Sequence, residues 1–204
     1  MPPMIEFWFD FASTYSYPAA MRLEAAAREH GRAVAWRPFL LGPIFQAQGW
    51  NDSPFNLYPA KGRYMWRDME RLCAARGLPF RRPSVFPRNG LLPARVICAA
   101  DGADWVPDFV RRIYTANFAE DRDIADAGVV CDCLTGLTDD PETAVATAGE
   151  PDVKARLRAQ TERAVALGIF GAPSFTVGGE LFWGNERLET ALAWPPEDEE
   201  NAHG

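Results

Sequence analysis

The chain has 204 residues, 48% hydrophobic and 24% charged, which suits one globular domain with at most an insertion and excludes a disordered, collagen-like or coiled-coil chain. Lys plus Arg number 21 against 28 Asp plus Glu, and the net charge of −7 argues against nucleic acid as the main partner. No run of about 18 apolar residues exists, and the N-terminal MPPMIEFWFD lacks a basic region and a cleavage site, so neither a membrane span nor a secretory signal is expected and the compartment reads as cytoplasmic.

Met4 to Phe11 alternates, is rich in aromatics and reads as a buried strand. After the polar Ala12-Ser13-Thr14, a helix runs from Tyr15 to His30, with Tyr17, Ala20, Met21, Leu23 and Ala27 on its apolar side and Gly31 closing it. Pro18 is tolerable there because it lies in the first turn. Ala33 to Phe39 is a second strand, and a strand–helix–strand unit makes the two strands parallel. Residues 42–60 hold Gly42, Pro43, Gly49, Asn51, Pro54, Asn56 and Pro59 and read as a loop, too long for a mere connector. Helices follow at Lys61 to Arg76, Leu91 to Ala100 and Trp105 to Phe118, with a Pro- and Arg-rich loop at Phe80 to Asn89. Further helices are expected near 124–134 and 139–148, and at Pro151 to Leu167 with Gly168 at its end. The period then changes: Ser174 to Val177 and Glu180 to Trp183 are short strands joined by Gly178-Gly179, a hairpin signal. Asn185 to Leu192 is a last short helix, and residues 195–204, PPEDEENAHG, read as a mobile acidic tail.

The order is thus β-α-β, a helical block, then β-β-α. That is the thioredoxin-like α/β fold with an all-helical insertion, as in DsbA-like proteins. The expected division is residues 4–59 with 169–194 as the thioredoxin-like domain, 60–168 as the inserted helical subdomain, and 195–204 as the tail. Residues 60–95 carry nine cations against Asp68 and Glu70. This is either a solvated helix face with its loop or a local attraction for an anionic small molecule. Cys73, Cys98, Cys131 and Cys133 form no C-x-x-C, and His30 and His203 are the only histidines, so no metal site and no structural disulfide are expected.

In a thioredoxin fold the reactive group lies between the first strand and the first helix, where free backbone N–H groups and the positive dipole end stabilise a thiolate. Redox members place C-x-x-C there; this chain has Ser13 and Ser16 and cannot exchange dithiol for disulfide at that point. Ser13 either caps the helix or donates a hydrogen bond to a thiolate brought by a ligand, lowering that thiol's pKa. As an acyl nucleophile it lacks a G-x-S-x-G setting, and His30 is at the far end of the same helix. Pro173 opens a strand after Gly168-Ile169-Phe170-Gly171-Ala172. It is either an ordinary trans proline or a cis proline against the active-site helix, which leaves the Ala172 backbone to pair with a peptide-like ligand. Asn185 is a helix cap or, with Glu186, a receiver for the charged end of such a ligand.

The stretches FDFASTYSY, NLYPAKGRYM and GIFGAPSFTVGGELFWGNERLE resemble, in one register from about residue 4 to 194, the 2-hydroxychromene-2-carboxylate isomerases, relatives of kappa-class glutathione transferases. The resemblance implies that Ser13 contacts the sulfur of glutathione, that Ala172 before cis Pro173 binds its cysteinyl backbone, and that Asn185 and Glu186 receive its γ-glutamyl end. It also implies a glutathione contact from Asn51 (with Asn56 as the other candidate) and from Lys61 beside the glycyl carboxylate. Thr14 departs from the family's usual proline. The implied activity is glutathione-dependent isomerisation of an unsaturated aromatic acid, by thiolate addition, bond rotation and elimination; a kappa-type transferase and a non-catalytic thioredoxin-like binding module are the alternatives. Tyr15, Arg82 and Arg88 are the candidate substrate contacts, Phe45, Trp50, Phe55 and Tyr58 could wall an aromatic substrate or simply pack, and relatives are usually homodimers.

Overall fold

The computed structural model describes residues 3–100 and 102–195; the predicted tail lies, from residue 196 on, outside them. Four strands form one sheet in the order β2-β1-β3-β4: β1 (Met4–Phe9), β2 (Ala33–Pro38), β3 (Ser174–Val177) and β4 (Glu180–Trp183). β1 and β2 run parallel, with Met4 opposite Ala33 and Phe9 opposite Pro38, while β3 is antiparallel to both β1 and β4. The parallel crossover is α1 (Ser16–Glu29), and Gly178 and Gly179, at φ 53° and 77°, make the tight β3–β4 turn that residues with side chains adopt at a cost.

Alternation along β1 assigns its two faces. Ile5, Phe7 and Phe9 enter the larger core, which continues through Tyr17 and Leu23 of α1 to Phe109, Ile113, Tyr114 and Phe118. Those last four belong to α6 (Val106–Phe118). Trp8 points the other way, into a smaller core with Phe39, Ile44, Ala164 and Ile169. Glu6 shares that face and is bonded by Arg37, Arg163 and the Thr176 hydroxyl, which answers the cost of a carboxylate within the sheet. The larger core also takes in residues of α5 (Leu91–Ala100), α7 (Ala127–Leu134), α8 (Pro141–Thr147) and α9 (Pro151–Ala166).

Residues 42–60 are not a loop. They hold α2 (Leu41–Ala47), α3 (Pro54–Leu57) and the first turn of α4 (Pro59–Ala75). The prolines read as breakers are helix starters: Pro54 and Pro59 open α3 and α4, where a missing N–H costs nothing, and Ser53 accepts from the Phe55 N–H. The last helix is also divided, into a 3₁₀ turn at Asn185–Arg187 and α10 (Leu188–Ala193). Among the described residues no helix is long and apolar enough to cross a membrane, and no group of three or more His, Cys, Asp or Glu could hold a metal.

Candidate functional site

The turn between β1 and α1 is held from three sides. The Ser13 N–H donates to the Asp10 carbonyl, which also accepts from the Tyr114 hydroxyl at 2.9 Å. Asn117, one helical turn further along α6, donates to the Phe11 carbonyl at 3.0 Å. On the third side the backbone of Gly90 lies so close that a Cβ there would sit 2.7 Å from that of Phe11. A rigid turn results, at the N-terminal end of α1.

Ser13 is 8% exposed, and its hydroxyl donates at 2.9 Å to the backbone carbonyl of Ala172, 159 residues away. It does not cap α1, whose N-cap residue is Tyr15 with no side-chain cap bond. The Ala172–Pro173 peptide is cis. Ser13, Ala172, Tyr15, Asn51 and Lys61 together line one cavity of about 1240 Å³, whose walls also include Leu41, Phe45, Trp50, Phe55, Phe170 and Trp183. Thr14, in the place of the family's proline, is buried, and its hydroxyl is paired with the Met65 sulfur at 3.1 Å. Its carbonyl still accepts the Tyr17 N–H, so the helix opens without proline.

The other predicted residues divide. Lys61 is exposed and sits 4.9 Å over the Tyr58 ring. The Tyr15 hydroxyl donates to Asp68, and burial first, then Asp68, raises its pKa, so it remains a phenol. Pro173 is buried beneath Ala172. Asn185 is 2% exposed and is not among the cavity's lining residues; its side-chain oxygen accepts from Arg22 at 3.2 Å. Glu186 is exposed, with its carboxylate against Gly184, whose φ of 111° and lack of a Cβ make room for it. Asn56 donates to Asp52 and to the Phe86 carbonyl and does not line the cavity. Arg82 lies outside the lining, stacked 4.9 Å over Trp66. Arg88 reaches the lining, but its guanidinium is committed to Asp121, Ser84 and Asn117. The Ser84 N–H, which donates to Asp121 at 2.8 Å, and then the Arg88 bond hold the Asp121 carboxyl down at about 2.

Several lining residues, Leu41, Phe170 and Trp183 among them, were not expected from the sequence, and the most telling is Asp10. Asp10 is buried, and its two carboxylate oxygens accept 2.8 Å bonds from the N–H groups of Ala12 and Leu41. It thereby ties the Ser13 turn to the first residue of α2. Burial pushes its pKa up, against the lowering effect of those two donors. An acid inside the apolar run FWFDF was the available signal, since an unpaired acid is rarely placed among aromatics without use. The four cysteines are free, and none lines this cavity.

A site of this kind offers, at a helix N-terminus, one hydroxyl donor and one backbone carbonyl that satisfy each other. A ligand thiol and a ligand N–H could take them separately. The DSBA-like thioredoxin domain family matches residues 4–193. The 2-hydroxychromene-2-carboxylate isomerase of Sphingobium xenophagum is 30% identical over 93% of this chain and 96% of its own. Glutathione S-transferase kappa 2 of Caenorhabditis elegans is 25% identical over 83% of this chain and 79% of its own. Among solved structures, a 2-hydroxychromene-2-carboxylate isomerase superposes with a TM-score of 0.79 at 24% identity, covering 98% of this chain and 95% of that one. The cytosolic disulfide reductase DsbM from Pseudomonas aeruginosa, solved with GSH, gives 0.65 at 22% identity, covering 98% and 100%. At those identities the superpositions establish the fold, while the sequence matches establish kinship: the chain belongs to the DSBA-like thioredoxin domain family, in the group that holds the 2-hydroxychromene-2-carboxylate isomerases and the kappa-class glutathione transferases.

Proposed function

We propose that this protein is a glutathione-dependent isomerase of an unsaturated aromatic acid. The observation that carries the reading is the Ser13 hydroxyl, 2.9 Å from the Ala172 carbonyl beside cis Pro173, at the helix mouth and within the large cavity. Serines at 13 and 16 leave the helix mouth without a thiol, so a thiol working there comes from a ligand. The residues present suit a cysteinyl peptide. Ala172 offers its carbonyl to the peptide N–H, as in strand addition, and Ser13 then has its one donor free for the sulfur. Lys61 is the lining cation available for a carboxylate, because Arg88 is held by Asp121.

Glutathione, held by Ser13 and Ala172, would supply there a nucleophilic thiolate suited to reversible addition to a conjugated double bond. The chain's own part is to hold the thiolate form and the geometry. Ser13 donates to the sulfur, the α1 N-terminus favours its charge, and the turn fixed by Tyr114 and Asn117 keeps Ser13 from drifting. Tyr15, fixed by Asp68, walls the same mouth. Kinship with kappa-class transferases favours one second reading, a transferase using the same thiolate. Product mass separates the two: unchanged for isomerisation, increased by the tripeptide for transfer.

The test is glutathione binding together with thiolate formation. Millimolar glutathione should raise the melting temperature by mass action, and the ultraviolet absorbance of bound thiolate should rise near neutral pH. Ser13→Ala should cost about 1 kcal/mol of stability, one hydrogen bond, yet lower thiolate formation and turnover about tenfold or more. Absence of any melting shift with glutathione refutes the reading.

A further inference from the structure

A second cavity, of about 970 Å³, runs along the outer side of β2 and shares no lining residue with the one at Ser13. Every residue from Ala33 to Pro38 lines it, and α1 and α9 supply further walls. β2 is an edge strand, whose one neighbour in the sheet is β1. The ladder between them shows which way each backbone group points. The Ala33 N–H donates to the Pro3 carbonyl, and the Phe39 N–H to that of Phe9. Residues bonded to the neighbour alternate along a strand, so Ala33, Ala35 and Arg37 face β1. Val34 and Trp36 therefore turn their N–H and C=O groups outward, and no described residue bonds them. Such a row is a template for another strand, which folded chains ordinarily blunt or cover.

The groove is also charged one way. Among the described residues its lining holds Arg28, Arg32, Arg37, Arg156 and Arg163 against Glu24 and Asp104. Glu24 is engaged by Arg111, and Arg37 and Arg163 share the single carboxylate of Glu6. Arg32 bonds the neutral carbonyls of Leu192 and Trp194, and its Nη1 is buried without a partner. Arg28 is exposed near the end of α1 and has no ion pair among the described residues. We propose that the β2 edge receives an extended, acidic segment of a partner protein as an added strand. Val34 and Trp36 pair with the main chain of that segment, and Arg28 and Arg32 take its carboxylates. The six residues of β2 span about 20 Å at about 3.3 Å each, which suits a segment of similar length. A lone small anion would use the arginines and leave the backbone groups of Val34 and Trp36 idle. A second copy of this chain would set the same arginines against one another.

The experiment measures, by fluorescence anisotropy on the full chain, binding of a labelled hexapeptide of alternating glutamate and valine. Its controls are the same peptide with lysine for glutamate and one N-methylated at alternate amides. The glutamate peptide should bind about tenfold or more tightly than either control. Arg28→Glu and Val34→Pro should each weaken it about fivefold or more, with melting temperatures checking that both variants fold. Proline suits position 34 because that N–H lies outside the β1 ladder. Should Val34→Pro fail to fold, the N-methylated peptide tests the same backbone pairing. No binding of the glutamate peptide overturns the proposal, as does equal binding of the lysine or the N-methylated one. The chain's own residues 197–200, EDEE, are a rival occupant, since Arg32 holds the Trp194 carbonyl just before them. A full-length variant with Glu197→Gln, Asp198→Asn, Glu199→Gln and Glu200→Gln should bind the peptide within about twofold of the unaltered chain. Much tighter binding by that variant gives the groove to the chain's own segment, and a dimer abolished by Val34→Pro gives it to a second copy; either result overturns the partner proposal.

Discussion

At the scale of the residue, the site is an arrangement of groups that cost stability and are kept. Asp10 is the clearest: a buried carboxyl with no ion pair among the described residues, bonded only by two backbone N–H groups. Because burial raises its pKa from the ordinary 3.8, the folded chain binds that proton more tightly than the unfolded chain. Its contribution is therefore most favourable below that value and declines as pH rises through the folded-state pKa. Asp10→Asn should flatten the fall in melting temperature from about pH 4 upward, measured by thermal scans across pH, while losing one of the two clamping bonds. Ser13 and Ala172 were legible as a pair because helix mouth and cis proline follow from fold order. Asn185 was legible as a polar residue at the right place in the motif, but the chain packs Arg22 against it, and no sequence spacing announces a partner 163 residues away.

At the scale of the element, the cavity wall depends on how α2, α3 and α4 are joined. Gly62 of α4 is where that wall is tightest: a Cβ there would come within 2.2 Å of the Phe55 carbonyl. Gly62→Ala should cost about 1–3 kcal/mol in chemical denaturation and displace α3, weakening ligand binding as well. The loop from Phe80 to Asn89 has its own anchor. Arg88, 5% exposed at its side chain, is bonded to Asp121, Asn117 and Ser84, whereas Arg82 is exposed on Trp66. Arg88→Ala should lower the melting temperature clearly more than Arg82→Ala, because the first removes a buried guanidinium that ties Asp121, Asn117 and Ser84 together and the second loses a surface contact. Helices with periodic apolar faces were readable to within a residue or two, as α9 and α6 show. Residues 42–60 were not, because Pro, Gly and Asn open short helices as readily as they break them, and what decides between the two is Ile44 reaching the smaller core.

At the scale of the whole molecule, one core runs from the sheet into the helical region, with Phe7 and Phe175 in the same cluster as Ile97, Val130 and Ala148. We expect the thioredoxin-like and helical portions to unfold together: urea transitions followed by tryptophan fluorescence and by far-ultraviolet dichroism should coincide, and two separated midpoints would mark independent units. Apart from α2 and α3, the order of strands and helices, the parallel crossover, the hairpin and the missing redox cysteines were set by local patterning, because periodicity, glycine turns and residue chemistry act over a few neighbours. Only the tertiary structure decided that Arg88 is tied up, that Asn185 is turned inward, that Asp10 joins two cavity walls, and that Phe170 and Trp183 meet. These are contacts between segments far apart in the chain, and their existence depends on how the two cores bring those segments together, which no local pattern encodes.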